Sequence, residues 1–213
     1  MSETGGRIAL GLAAAAFFVA WLLMPGVGIT DAEKIFALVG SHRGQVLASS
    51  VLQLFSAACY APAAVALVIA RPALRLPAAL LLVGAMGSAA DAVFHLFAYE
   101  MTAPGAPSEA LLPVMARMQG PGLVWILPLI ACFFVGTGWL ARAAHRADAG
   151  RGGRRVATGL VIVLALLFTL AFAGRIAPGR AIGLGVLAWV AASQIRVALS
   201  PLFEPARADA PHS

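Results

Sequence analysis

Charge is what this chain has least of. Asp, Glu, Lys and Arg together make up 11% of 213 residues, against about 25% in a soluble domain, so the chain lacks the polar surface to coat a globule in water. Cysteine is nearly absent as well. The two present, Cys59 and Cys132, fall in the middle of apolar stretches, which excludes a secreted disulfide scaffold and leaves free thiols acting as small hydrophobes. There is no P-loop, no GxSxG and no HExxH, so the sequence offers none of the catalytic sets these motifs carry.

Apolar residues take the place of charge, at 61% of the chain with a mean hydropathy of +0.91. Crossing a hydrocarbon core takes roughly 20 apolar residues in a helix. Six stretches approach or exceed that length: Ile8–Met24, Val46–Ala70, Ala78–Thr102, Pro121–Ala141, Val156–Gly174 and Ala181–Leu199. The fold class expected is all-α, a polytopic membrane bundle of six transmembrane helices. A short leader over residues 1–7 precedes it, the membrane domain covers 8–203, and a polar tail over 204–213 is expected to be disordered. Arg7 before the first apolar run imitates a signal peptide, but the run is too long and Met24-Pro25-Gly26 offers no small-x-small cleavage site. It reads as a retained helix.

Lysine and arginine set the expected orientation. With the N-terminus inside, ten basic residues face inward (Arg7, Arg71, Arg75, Arg142, Arg146, Arg151, Arg154, Arg155, Arg196 and Arg207) and five outward (Lys34, Arg43, Arg117, Arg175 and Arg180). N-in, C-in is therefore expected. The net charge of +6 then reflects positive-inside bias and attraction to anionic lipid rather than nucleic acid. The Ala/Arg/Gly-rich usage points to a high-GC bacterium and its inner membrane.

Two outward connections carry helix signals. Thr30-Asp31-Ala32-Glu33 reads as a capping box with Thr30 as N-cap, followed by Ile35, Phe36, Leu38 and Val39, with Gly40 as the stop. Ser108–Gln119 sets Leu111, Leu112, Met115 and Met118 against Glu109 and Arg117, with Gly120 as its end and Pro113 expected to weaken the helix or restrict it to a broken turn. Short interfacial helices are expected at both. Connections alternate long and short in both halves of the chain, the pattern an inverted repeat of three plus three helices would give, although the halves show no evident residue identity.

The chemistry-bearing residues lie in the second and third spans. At 100° per residue, Gly84, Ser88, Asp91, His95, Tyr99 and Thr102 fall within an arc of about 80°. Ser49, Gln53, Ser56 and Tyr60 fall within roughly 60° on the preceding helix. Comparing depths sets Gln53 level with His95 and Tyr60 level with Asp91, so a pocket between the two helices is expected. An Asp at a helix centre costs about 2.5–3.5 kcal/mol on insertion scales, and a chain that keeps one uses it for a proton, ion, cofactor or ligand. The plain structural alternative is interhelical hydrogen-bonding, worth about 0.6 kcal/mol each.

Ser88, Asp91 and His95 on one helix resemble one piece of the seven-helix metal hydrolases that include alkaline ceramidases. That family needs further histidines, including a late HxxxH pair. Here His145 lies in an inner loop and His212 in the tail, so its metal site cannot be completed. Retinal attachment is excluded because the single lysine, Lys34, is in a loop. His95 with His42 is a candidate ligand pair for haem, or for copper with the outward methionines Met24, Met101, Met115 and Met118.

The function expected is a membrane sensor or regulator. Asp91, His95, Ser88, Gln53 and Tyr60 would form its ligand or proton site, and Arg142, Arg146, Arg151, Arg154 and Arg155 would hold a soluble acidic partner such as a transcription regulator. A proton- or ion-coupled transporter is the first alternative, and a haem or copper oxidoreductase the second.

Overall fold

The computed structural model describes residues 2–27, 29, 31–147 and 151–204, the side chains of 108, 123, 151 and 152 excepted. Eight α-helices occur among them: α1 (Glu3–Leu23), α2 (Ala32–Ser41), α3 (Arg43–Ala70), α4 (Arg75–Met101), α5 (Ser108–Gln119), α6 (Leu123–Ala147), α7 (Arg151–Phe172) and α8 (Pro178–Leu199). The described residues contain no strand. All but α2 and α5 are long and apolar enough to cross a membrane, six in total, the dimensions of a multi-pass helical bundle.

The helices run past the apolar spans that announce them. The expected leader is largely the first turn of α1, where Ser2 Oγ accepts from Gly5 N at 3.2 Å and Glu3 pairs with Arg7 at 2.9 Å. Most of the expected inner connection from Arg142 is helix too, since α6 continues to Ala147 and α7 starts at Arg151. Hydropathy locates the lipid-soluble part of a helix, whereas backbone hydrogen bonding continues into the interface until a cap or a loop stops it. Arg7 also reaches Glu204 at 3.0 Å, bringing the beginning of α1 and the end of α8 to one end of the bundle. The tail over 205–213 lies outside the described residues, as does Arg207.

Five helices form a ring in the order α1, α3, α4, α6, α8, with α8 closing back on α1, and α7 lies outside the ring against α8. The two halves of the chain thus pack differently: α3 lies between α1 and α4, whereas its counterpart α7 is peripheral. Leu10, Leu67, Leu81, Leu140 and Phe203 form the core at the end bearing the termini. At the opposite end α2 and α5 pack on one another and add Ile35, Val39 and Met115 to a second core with Met24, Val46 and Leu184.

Both short helices differ in detail from expectation. Asp31 caps α2, accepting from Lys34 N at 3.0 Å, and Thr30 lies outside the described residues. The helix passes through Gly40 to Ser41. Helix α5 is continuous through Pro113 and ends at Gly120. One close seam is α4 on α6. A Cβ on Gly84 would collide with the Phe133 backbone, and one on Gly136 would lie 2.6 Å from Leu81 N, the small-residue contact that lets membrane helices approach. Along α6, Gly136 enters this seam, while Trp125, Pro128 and Trp139 are exposed.

Candidate functional site

The α-helical repeat places Asp91 and His95 one turn apart on α4. Their side chains are 13% and 17% exposed, with Asp91 Oδ2 3.8 Å from His95 Nδ1. That separation is beyond hydrogen-bond length, and neither atom finds another partner among the described residues. Both side chains face a cavity of about 270 Å³. Trp21 and Met24 of α1 form one wall, with Val27 and Ile29 from the loop that follows; Leu127 and Ile130 of α6 form another. Ile35 and Val39 of α2 and Met118 of α5 cover it at the end away from the termini.

The Trp21 indole meets the His95 ring edge-on, centroids 5.8 Å apart, and its Nε1 is buried without a partner. One turn below Asp91, Ser88 Oγ is likewise unpartnered. Ser88 lines a second cavity of about 60 Å³ together with Phe17, Gly84, Phe133 and Leu187, and Asp91 borders both spaces. The described lining residues thus offer the Trp21 indole N–H, the Gln119 amide, the Ser88 hydroxyl, one acid and one imidazole able to donate or accept, in otherwise apolar walls with no lysine or arginine.

Gln53 and Tyr60 are elsewhere, and this corrects the expected pocket. The α3 stripe turns toward α1 and α8. Ser49 Oγ donates to Ala20 O at 2.7 Å and Ser56 Oγ to Ala13 O at 2.8 Å. Gln53, fully buried, reaches only Ser49 Oγ, at 3.5 Å. The Tyr60 hydroxyl donates to Gln194 Oε1 at 2.6 Å, and Gln194 Nε2 donates to Thr137 Oγ1 at 3.0 Å. This chain joins α3, α8 and α6. Helix projection tells which residues share a face but not which helix that face meets, and consecutive helices need not turn their polar stripes on each other.

Sequence reasoning missed Trp21, Thr137 and Gln194. The available signals were an uncharged amide inside an apolar span and a tryptophan at the same end of the bundle as His95.

His42 does not join His95. Its Nδ1 lies 2.9 Å from Ser41 Oγ and 3.1 Å from Leu38 O, at the end of α2, and it lines neither cavity. Among the described residues no three His, Cys, Asp or Glu side chains gather into a metal-ligand set. Cys59 and Cys132 are free and partly buried.

At the end bearing the termini, Arg142, Arg146, Arg154 and Arg155 are exposed; the Arg151 side chain lies outside the described residues. Arg196 extends this surface, its Nη2 2.9 Å from His145 Nδ1 and its guanidinium packed against Gly153. Comparison of the chain with protein-family models, curated proteins and solved structures gives no match.

Proposed function

We propose that the protein is an integral membrane sensor or regulator of the bacterial inner membrane, with both termini cytoplasmic. A ligand or proton engages Asp91 and His95, and a soluble acidic partner docks on the arginine surface at the other end. The observation that carries this reading is one cavity lined by Asp91, His95 and Trp21, each of which also holds a buried polar atom without a partner among the described residues. Buried polar groups left without partners are rare in native proteins and call for an explanation.

Below the first cavity lies the small second space of about 60 Å³, whose described lining includes Phe17 and Phe133. Phe17, Phe133 and Tyr60 stack at centroid distances of 5.2 and 5.4 Å, and the Tyr60–Gln194–Thr137 chain spans the same level. A transport path has to reach both faces, so the plug favours a sensor over a transporter. The orientation rests on charge: Arg7, Arg71, Arg75, Arg142, Arg146, Arg154, Arg155 and Arg196 share the terminus-bearing end, the positive-inside signature.

Two measurements test the reading. Changing Arg142, Arg146, Arg154 and Arg155 together to Gln is expected to release an acidic partner that copurifies stoichiometrically with the wild type; retention of that partner overturns the docking surface. Proteoliposomes are expected to show no proton flux, and flux that disappears in Asp91→Asn establishes the transporter instead.

A further inference from the structure

The cavity's polar end is acidic in character. Among the described lining residues Asp91 contributes the only carboxylate and none is a lysine or arginine, and the His95 Nδ1 stands off at 3.8 Å. A carboxylate removed from water without a close cation is among the costlier things a membrane protein can hold. Trp21 and Phe94 present aromatic surface to the same space, and aromatic faces attract organic cations.

We infer that the cavity binds a small organic cation, a protonated amine with an apolar body. Its N–H groups donate to the Asp91 carboxylate and to the His95 ring nitrogen that carries no proton. The body lies against Met24, Val39 and Phe94. An anion meets no lysine or arginine there and faces the Asp91 carboxylate. A neutral alcohol satisfies hydrogen bonds but leaves the carboxylate's charge uncompensated. The volume of about 270 Å³ lies just below the usual range for drug-sized ligands, roughly 300–1,000 Å³, which selects a single ring or short chain over a polycyclic molecule. This inference rests on the cavity being the sensing site and adds the charge and class of what it senses.

The test uses full-length protein in phosphatidylcholine nanodiscs, with empty nanodiscs subtracted, and three probes of similar size: 2-phenylethylamine, 2-phenylethanol and 3-phenylpropanoate. Calorimetry is expected to show the amine binding at least about tenfold tighter than the alcohol, with no binding of the anion. Asp91→Asn is expected to weaken the amine by on the order of a hundredfold and to leave the alcohol unchanged. An alcohol that matches the amine overturns the cationic class while leaving the cavity as a binding site. Absence of binding by all three overturns the inference, and the selectivity of the wild type decides the matter even where Asp91→Asn does not fold. Failure of the sensor reading itself is registered separately, by proton flux or by partner retention on the arginine variant.

Discussion

The Trp21 indole stands edge-on to the His95 imidazole, with the ring planes at 85°. Helix α3 separates α1 from α4 in the ring, so this contact bridges two helices that are not ring neighbours, and the cavity occupies the space beside it. The indole has two separable features: its ring supports His95, and its N–H is buried with no hydrogen-bond partner among the described residues.

Substitution separates the two features. Trp21→Phe keeps an aromatic edge and is expected to change stability by about 1 kcal/mol or less. Trp21→Ala removes the wall of both cavities and is expected to cost about 3 kcal/mol. Thermal unfolding in detergent micelles reads the difference; equal losses for both variants would show that the N–H, not the ring, carries the stability.

Tyr60 and Gln194 are expected to be energetically coupled. Tyr60→Phe leaves Gln194 Oε1 without its donor in a fully packed setting, which is expected to cost about 1 kcal/mol. Gln194→Leu removes both links of the chain at once. A double-mutant cycle on Tyr60→Phe and Gln194→Leu should give a coupling of about 1 kcal/mol, and strict additivity would show that the 2.6 Å contact contributes nothing net.

The α4–α6 seam should discriminate between glycines. Gly84→Ala drives a methyl into the Phe133 backbone and is expected to destabilise by about 1–3 kcal/mol through overpacking. Gly138, on the same helix as Phe133, has nothing within 4 Å of an added Cβ. Gly138→Ala is therefore expected to be neutral or to stabilise by about 0.5–1 kcal/mol. Folded yield and unfolding midpoint measured side by side check the contrast.

Arg43 ties the beginning of α3 to the end of α4. Its guanidinium donates to the Tyr99 carbonyl and to Thr102 Oγ1 at 3.1 Å, and it lies 3.9 Å from the Tyr99 ring centroid. A lysine keeps the charge but loses the planar fork. Hydrogen exchange of the backbone amides at the end of α4 is expected to accelerate in Arg43→Ala and, by a smaller factor, in Arg43→Lys. Unchanged exchange in both would remove Arg43 as the tie.

The placement of Asp91 and His95 on one face of an apolar helix was legible from period 3.6 alone, and their cavity agrees with it. The partners were not. Gln53 and Tyr60 lie at suitable depth for α4, yet Ser49 and Ser56 on the same stripe bond to α1 backbone carbonyls and Tyr60 bonds to α8. Trp21 has the opposite history: it lies 70 residues before Asp91, and only the ring of helices brings it to His95.

By itself the sequence determined that the chain is helical, that six of its segments are long and apolar enough to span a membrane, and which residues share a helix face. Those follow from hydrocarbon thickness, from the need to satisfy every backbone group internally, and from the helical repeat. Only the tertiary structure decided which faces meet. In lipid, one apolar face is as well solvated as another, so neighbours are chosen by close packing and a few interhelical hydrogen bonds. Gly84 and Gly136 drew α6 onto α4, the serines of α3 drew α1, and the space left between Trp21 and His95 became the site.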